Sequence, residues 1–191
     1  MPQLELLKKI IKSLEKGNIP YMLTGSLVSS FQGNPRSTHD IDIIISIRLD
    51  NIPDIMKVFN SKKFYIDQDS IKEAVINYNQ FNVLDIEEGE KIDFWILTGS
   101  DFDKSRFSRR QKKELLGLKA YISAPEDTII QKLVWSKLSG ESRKQYNDAL
   151  SVYEVQYGKL DIAYMEYWSK KLDVKDIYKK MISDSEVDDW N

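Results

Sequence analysis

Tyr21-Met-Leu-Thr-Gly-Ser26 and, after a thirteen-residue spacer, Asp40-Ile-Asp-Ile-Ile-Ile-Ser-Ile47 are the stretches that decide the fold. Tyr21 to Thr24 is a short apolar run stopped by Gly25-Ser26, the pattern of a strand that ends in a turn. Leu27 to Phe31 reads as a short helix, broken by Gly33-Asn34-Pro35. The isoleucine-rich run Asp40 to Ile47 reads as a buried strand. In a strand, residues two apart share a face, so Asp40 and Asp42 project together while Ile41 and Ile43 enter the core. Two carboxylates side by side repel each other and either call for a cation or are ordinary acids at a solvated strand end, the commoner case for an isolated Asp-x-Asp. The chain has no cysteine and one histidine, His39, so hard oxygen ligands and Mg²⁺ or Mn²⁺ are the chemistry in reach.

Working outward, Leu4, Leu7, Ile10, Ile11 and Leu14 recur at helical spacing and are stopped by Gly17 and Pro20. Downstream the pattern predicts a helix at Pro53–Phe59, a strand at Phe64–Ile66 and a helix at Ile71–Ile76. A hairpin follows, of strands Phe81–Ile86 and Lys91–Leu97 around Glu87-Glu-Gly-Glu. A helix at Asp101–Phe107 and a last strand at Leu115–Ile122 complete the mixed part. Pro125 opens a helical region that runs to Lys180 with breaks at Gly140 and Gly158. Tyr153, Tyr157, Tyr164, Tyr167 and Trp168 recur at helical spacing and read as core. The tail from Ser183 to Asn191 is acidic and is expected to fray. The fold class is α+β: a short mixed sheet flanked by helices over residues 1–122, then a helical part over 123–191.

Composition narrows the function. The 191 residues are 41% hydrophobic and 30% charged, an ordinary globular mixture. Lys plus Arg number 28 against 30 Asp plus Glu, so bulk charge gives no attraction to nucleic acid, and duplex DNA binding is not expected. Absence of cysteine removes thiol catalysis and fits a reducing, cytoplasmic setting. No apolar run is long enough to span a bilayer, and the charged start does not read as a signal peptide.

Two further features bear on chemistry. A turn such as Gly25-Ser26 at a helix start lets an anion approach the backbone and offers it free N–H groups; most isolated turns of this kind are purely steric. Asp93, inside Ile92-Asp-Phe-Trp-Ile-Leu97, is costly in an apolar strand unless paired or metal-bound. Lys91 and Arg106 are candidate partners for it. If its strand lies beside that of Asp40, three carboxylates converge as a two-metal phosphoryl-transfer site requires. The basic stretch Lys104–Lys119, with Phe107 and Tyr121, reads either as a solvated surface or as a groove for an RNA acceptor.

Gly25-Ser26, the spacer, Asp40-Ile-Asp42 and Ile92-Asp93-Phe together resemble the DNA polymerase β-type nucleotidyltransferase superfamily. Asn34-Pro-Arg36-Ser-Thr38-His-Asp40-Ile-Asp42, the helix Ala124 to Leu133 with Lys132, and Arg143-Lys-Gln-Tyr-Asn-Asp148 are most similar to the abortive-infection type. The resemblance implies a nucleotidyltransferase-type core and an NTP whose phosphates sit on Gly25 and Ser26. It makes Asp40, Asp42 and Asp93 the catalytic ligands of Mg²⁺ or Mn²⁺, with Asp93 also helping to deprotonate an acceptor hydroxyl. Lys132 becomes a phosphate-facing cation and Asp148 a polar site residue, with Arg36 ranked below them. The implied reaction moves an NMP from NTP to RNA, protein or a small molecule and releases pyrophosphate, in a toxin–antitoxin or phage-defence setting. The alternatives are a small-molecule, antibiotic-type nucleotidyltransferase and a non-catalytic regulatory or antitoxin protein.

Overall fold

Isoleucines alternate with Asp42 and Ile44 along residues 41–45 and need apolar cover on both sides, so the strand they form belongs inside a sheet. A computed structural model, which describes residues 2–59 and 62–187, places it there. The chain divides into two compact units, residues 1–24 with 39–122 and residues 25–38 with 123–191.

The first unit contains α1 (Pro2–Lys16), β1 (Tyr21–Thr24), β2 (Ile41–Ile45), α3 (Ile52–Val58), β3 (Phe64–Tyr65), α4 (Gln68–Asn77), β4 (Gln80–Asp85), β5 (Lys91–Ile96), α5 (Asp101–Ser108), β6 (Gln111–Leu115) and β7 (Leu118–Ile122). The label α2 falls to Gly25–Gln32, in the second unit. The strands form one mixed sheet in the order β3-β4-β5-β2-β1-β7-β6. β2 is antiparallel to β1 and parallel to β5. One face carries Ile41, Ile43 and Ile45 of β2 beside Ile92, Phe94 and Ile96 of β5, all buried. Phe94 stacks on Phe81 and meets Phe59, at the end of α3, edge-on. Each such side chain contributes roughly 1.5–3 kcal/mol by leaving water. On the opposite face Met22 and Ile44 pack with Phe107 of α5, and Trp95 and Leu97 lean on that cluster.

Two expectations are corrected. The strand expected over 40–47 is shorter: its ladder with β1 ends at the pair Thr24–Asp42, because the next residue of β1's chain, Gly25, turns away into a helix. Asp40 therefore stands just outside the strand, exposed. The single strand expected over Leu115–Ile122 is instead the second half of a hairpin, β6–β7. Leu116 and Gly117 both take positive φ (51° and 77°), the twist a two-residue hairpin turn needs. Gln111-Lys-Lys-Glu hides its strand character because it is a charged sheet edge with little to bury.

The second unit is helical: α2, α6 (Pro125–Leu138), α7 (Arg143–Gln156), α8 (Ile162–Lys171) and α9 (Lys175–Asp184). Ile129, Ile130 and Leu133 of α6, Ala149 and Val152 of α7 and Met165 of α8 are fully buried. α2 meets α7 at Gly33, where a Cβ would lie 2.7 Å from Ser151 Oγ and 2.9 Å from the Val152 amide nitrogen. Glycine is what allows that approach. Gln32 donates to the Ser123 carbonyl at 2.7 Å and accepts at its own carbonyl from Gln156 at 2.6 Å, which ties α2 into the helical unit. Tyr153 and Trp168 are core, as their spacing suggests, whereas Tyr157, just past the end of α7, and Tyr167, on the outer side of α8, are exposed. The expected tail lies partly outside the described residues; helix α9 continues to Asp184.

Candidate active site

Asp42 and Asp93 are Cα partners on the parallel strands β2 and β5. Paired residues share a face, so both side chains rise from one side of the sheet, on strands about 4.8 Å apart. Thr24 of β1 is registered against Asp42, and Asn82 of β4 against Asp93. A polar row, Thr24–Asp42–Asp93–Asn82, thus crosses four strands next to the apolar row Met22–Ile44–Trp95. The Trp95 indole N–H donates to Asp42 Oδ1 at 3.2 Å, which orients that carboxylate from the neighbouring strand. Lys91 Nζ lies 2.9 Å from Asp93 Oδ1. That ion pair leaves the oxygen buried but without a hydrogen bond among the described residues. The pairing with Lys91 considered from the sequence is therefore present; Arg106 pairs instead with Asp103 at 2.7 Å.

Among the described residues no group of three or more Asp, Glu, His or Cys side chains stands ready to hold a metal ion. The donor set nevertheless fits one kind of cation. Mg²⁺ is commonly held by one or two carboxylates plus substrate phosphates rather than by an all-protein cage. Asp42 and Asp93 supply two such carboxylates in register, and one Asp93 oxygen already meets a cation, the Lys91 ammonium at 2.9 Å. Asp40 stands exposed just before the first residue of β2, outside the strand alternation that sets Asp42 and Asp93 on one face.

The other predicted residues gather in the helical unit. Gly25 opens α2 with φ of +71°, a conformation that favours glycine, and Ser26 follows it, buried. Asp148 of α7, 7% exposed, accepts from three sides. Arg36 donates through Nε at 2.8 Å and Nη2 at 2.7 Å, Lys132 Nζ stands 2.7 Å away, and Ser29 Oγ 3.2 Å away. Arg36 Nη2 also donates to Ser26 Oγ at 3.0 Å, and Lys132 Nζ reaches the same hydroxyl at 3.5 Å. Burial alone would raise the Asp148 pKa. The hydrogen bonds and charges of Arg36 and Lys132 reverse this and hold the carboxyl below its usual range. Lys132 is 5% exposed, so it is not an ordinary surface lysine.

The remaining candidates separate. His39 is exposed. In the basic stretch, Arg110 packs over the rings of Phe107 and Tyr121, and Lys112 lies over Tyr121 and 3.8 Å from Glu15. Sequence reasoning missed Trp95, Ser29, Thr24 and Asn82. The period-two spacing of Asp93 and Trp95 was a usable signal for the first; the others emerge only from register or from packing between helices.

No protein-family profile matches the chain, and no curated protein matches it in sequence. Solved structures do. A solution structure of the antibiotic-resistance factor ANT(2'')-Ia is similar over 95% of this chain and 94% of its own, with a TM-score of 0.55 and 10% identity. A crystal structure of ANT(2'')-Ia in complex with adenylyl-2''-tobramycin matches over 91% of this chain and 98% of its own, with a TM-score of 0.58 and 12% identity. Among the described residues no helix is long and apolar enough to cross a membrane. The seven-stranded mixed sheet with its helices has the fold of these nucleotidyltransferases.

Proposed function

We propose that the protein is a metal-dependent nucleotidyltransferase that moves an NMP from an NTP to a hydroxyl acceptor. The observation that carries this reading is the in-register placement of Asp42 against Asp93 on adjacent parallel strands. Asp42 and Asp93, joined by Asp40 from just before the strand, would hold Mg²⁺ or Mn²⁺, which polarises the phosphoryl oxygens and offsets their charge when bound. Asp93 accepts the proton of the acceptor hydroxyl as its oxygen bonds to the α-phosphorus and the bond to the departing pyrophosphate breaks. Trp95 keeps Asp42 oriented throughout. In the helical unit, the backbone N–H groups that follow Gly25 and the Lys132 ammonium are the anion-binding groups, and Asp148 fixes Lys132 and Arg36 in place. The meeting of Lys132 with Asp148 also supports the abortive-infection type of arrangement, in which both positions serve the site. Incubation with each α-labelled NTP, Mg²⁺ and a cell extract tests the reading. Pyrophosphate release with label transferred to a hydroxyl supports it, and NTP binding without turnover points to a non-catalytic regulator.

A further inference from the structure

The sheet face that bears the two registered carboxylates carries its own cation. Side chains alternate between faces along β5, so Lys91 stands on the same side as Asp93, about 6.7 Å before it along the strand. Its ammonium bends back to Asp93 Oδ1 at 2.9 Å. Among the described strand residues of β1, β2, β4 and β5, this face holds two carboxylates, Asp42 and Asp93, and Lys91 is its one cation.

Each carboxylate has one oxygen engaged by a resident donor, and the two donors differ in kind. Asp42 Oδ1 receives the Trp95 indole N–H at 3.2 Å, from a neutral ring that leans on the cluster of Met22, Ile44 and Phe107. Asp93 Oδ1 meets the end of a flexible four-carbon stem, on a side chain 53% exposed against 19% for Asp93 itself. That contact satisfies charge without a hydrogen bond and shuts the oxygen off from water. A fixed neutral donor can stay while a metal ion binds beside it. An ammonium cannot, because at roughly 4 Å two positive charges in a partly buried site repel each other strongly.

We infer that Lys91 is the resident counter-ion of this site: its ammonium occupies Asp93 while no divalent cation is bound, and leaves when one arrives. The inference rests on the reading of Asp42 and Asp93 as cation ligands. It gives the lysine two opposite effects. In the metal-free chain it offsets the repulsion between neighbouring acids and so supports the fold. Towards a divalent cation it is a competitor that weakens uptake. An exposed ion pair of this kind shifts an equilibrium only roughly two- to fivefold, so a doubly charged ion that meets both carboxylates can displace it. The free chain therefore takes up a divalent cation poorly until nucleotide phosphates add ligands and negative charge. A surface ion pair with no site beneath it would show the first effect and not the second.

The test is a titration of the full chain with Mn²⁺ in the absence of nucleotide, read from the electron paramagnetic resonance of free Mn²⁺, together with melting temperatures. Lys91→Met keeps the stem and removes the charge, and Lys91→Arg keeps the charge. Lys91→Met should bind Mn²⁺ at least about threefold more tightly than wild type and melt lower in the presence of EDTA, while Lys91→Arg should match wild type within about twofold. Adding Asp93→Asn to Lys91→Met should remove the gain. Unchanged or weaker Mn²⁺ binding by Lys91→Met overturns the inference, and so does a gain that survives Asp93→Asn. NTP cleavage that needs Mg²⁺ and Asp93, with Mn²⁺ affinity indifferent to Lys91, sinks the counter-ion and leaves the transferase reading standing. A gain through Asp93 in a protein that never cleaves NTP does the reverse.

Discussion

In the helical unit one carboxylate, Asp148, is clasped by Arg36 and Lys132 and by the Ser29 hydroxyl. In the sheet unit two carboxylates, Asp42 and Asp93, stand in register on neighbouring strands, with the Trp95 indole on one and Lys91 on the other. The first setting gathers cations around one buried negative charge and uses it to join α2, α6, α7 and the Arg36 segment. The second holds like charges together at the edge of an isoleucine core. The contrast separates roles: Asp148 ought to matter most for folding, and Asp42 and Asp93 most for turnover.

The sharpest way to break that contrast is Asp148→Ala. It leaves the Lys132 ammonium, 5% exposed, without its carboxylate. Breaking one side of a buried pair costs about 3–5 kcal/mol, and chemical denaturation should show a loss of that order. A loss below about 1 kcal/mol would remove the structural role assigned to Asp148. Next comes Asp42→Asn. Asparagine keeps an oxygen for the Trp95 N–H but lowers the negative charge offered to a cation. Transfer should fall at least about a hundredfold, about 2.7 kcal/mol in barrier. The melting temperature without metal should stay equal or rise, because repulsion between neighbouring acids is relieved. A collapse of metal-free stability would make Asp42 a structural residue like Asp148.

Lys132→Ala sits between the two. Asp148 retains Arg36, so the fold should lose less than it does in Asp148→Ala. NTP binding or turnover should weaken by about tenfold, about 1.4 kcal/mol. Wild-type kinetics would confine Lys132 to packing. The smallest effect is acid sensitivity. The Asp148 pKa is lowered in the folded protein, so its stabilisation is complete above the unfolded value of about 3.9 and is lost as pH falls through the lower folded value. Acid unfolding of wild type should be steeper below about pH 4 than that of Asp148→Asn. Parallel curves would show that the carboxylate is not held by its cations.

Much of the sheet was legible because its central strands obey one strong rule. Ile41, Ile43 and Ile45 must be buried, and Asp42 alternates with them. The β4–β5 hairpin was equally plain from its acidic turn between alternating strands. Edge strand β6 was not, since a charged edge buries little and its residues carry no periodic signal. The register that sets Asp42 beside Asp93 could be hoped for but not read, because strand order is a long-range property. Lys132 and Asp148 were picked out by resemblance alone. Their ion pair depends on how α6 and α7 pack, and helical periodicity does not encode which polar margins will meet. Assigning α2 to the helical unit likewise needed Gly33 and its close approach to α7.

The central claim is that Asp42 and Asp93 take up a divalent cation together with the phosphates of an NTP. Calorimetric titration of a non-hydrolysable ATP analogue, with and without Mg²⁺, tests it most directly in wild type and in Asp42→Asn and Asp93→Asn. The account predicts that Mg²⁺ tightens binding at least about tenfold in wild type, about 1.4 kcal/mol, and that either substitution removes this gain while metal-free binding stays as it was. An unchanged Mg²⁺ response in both variants would contradict it.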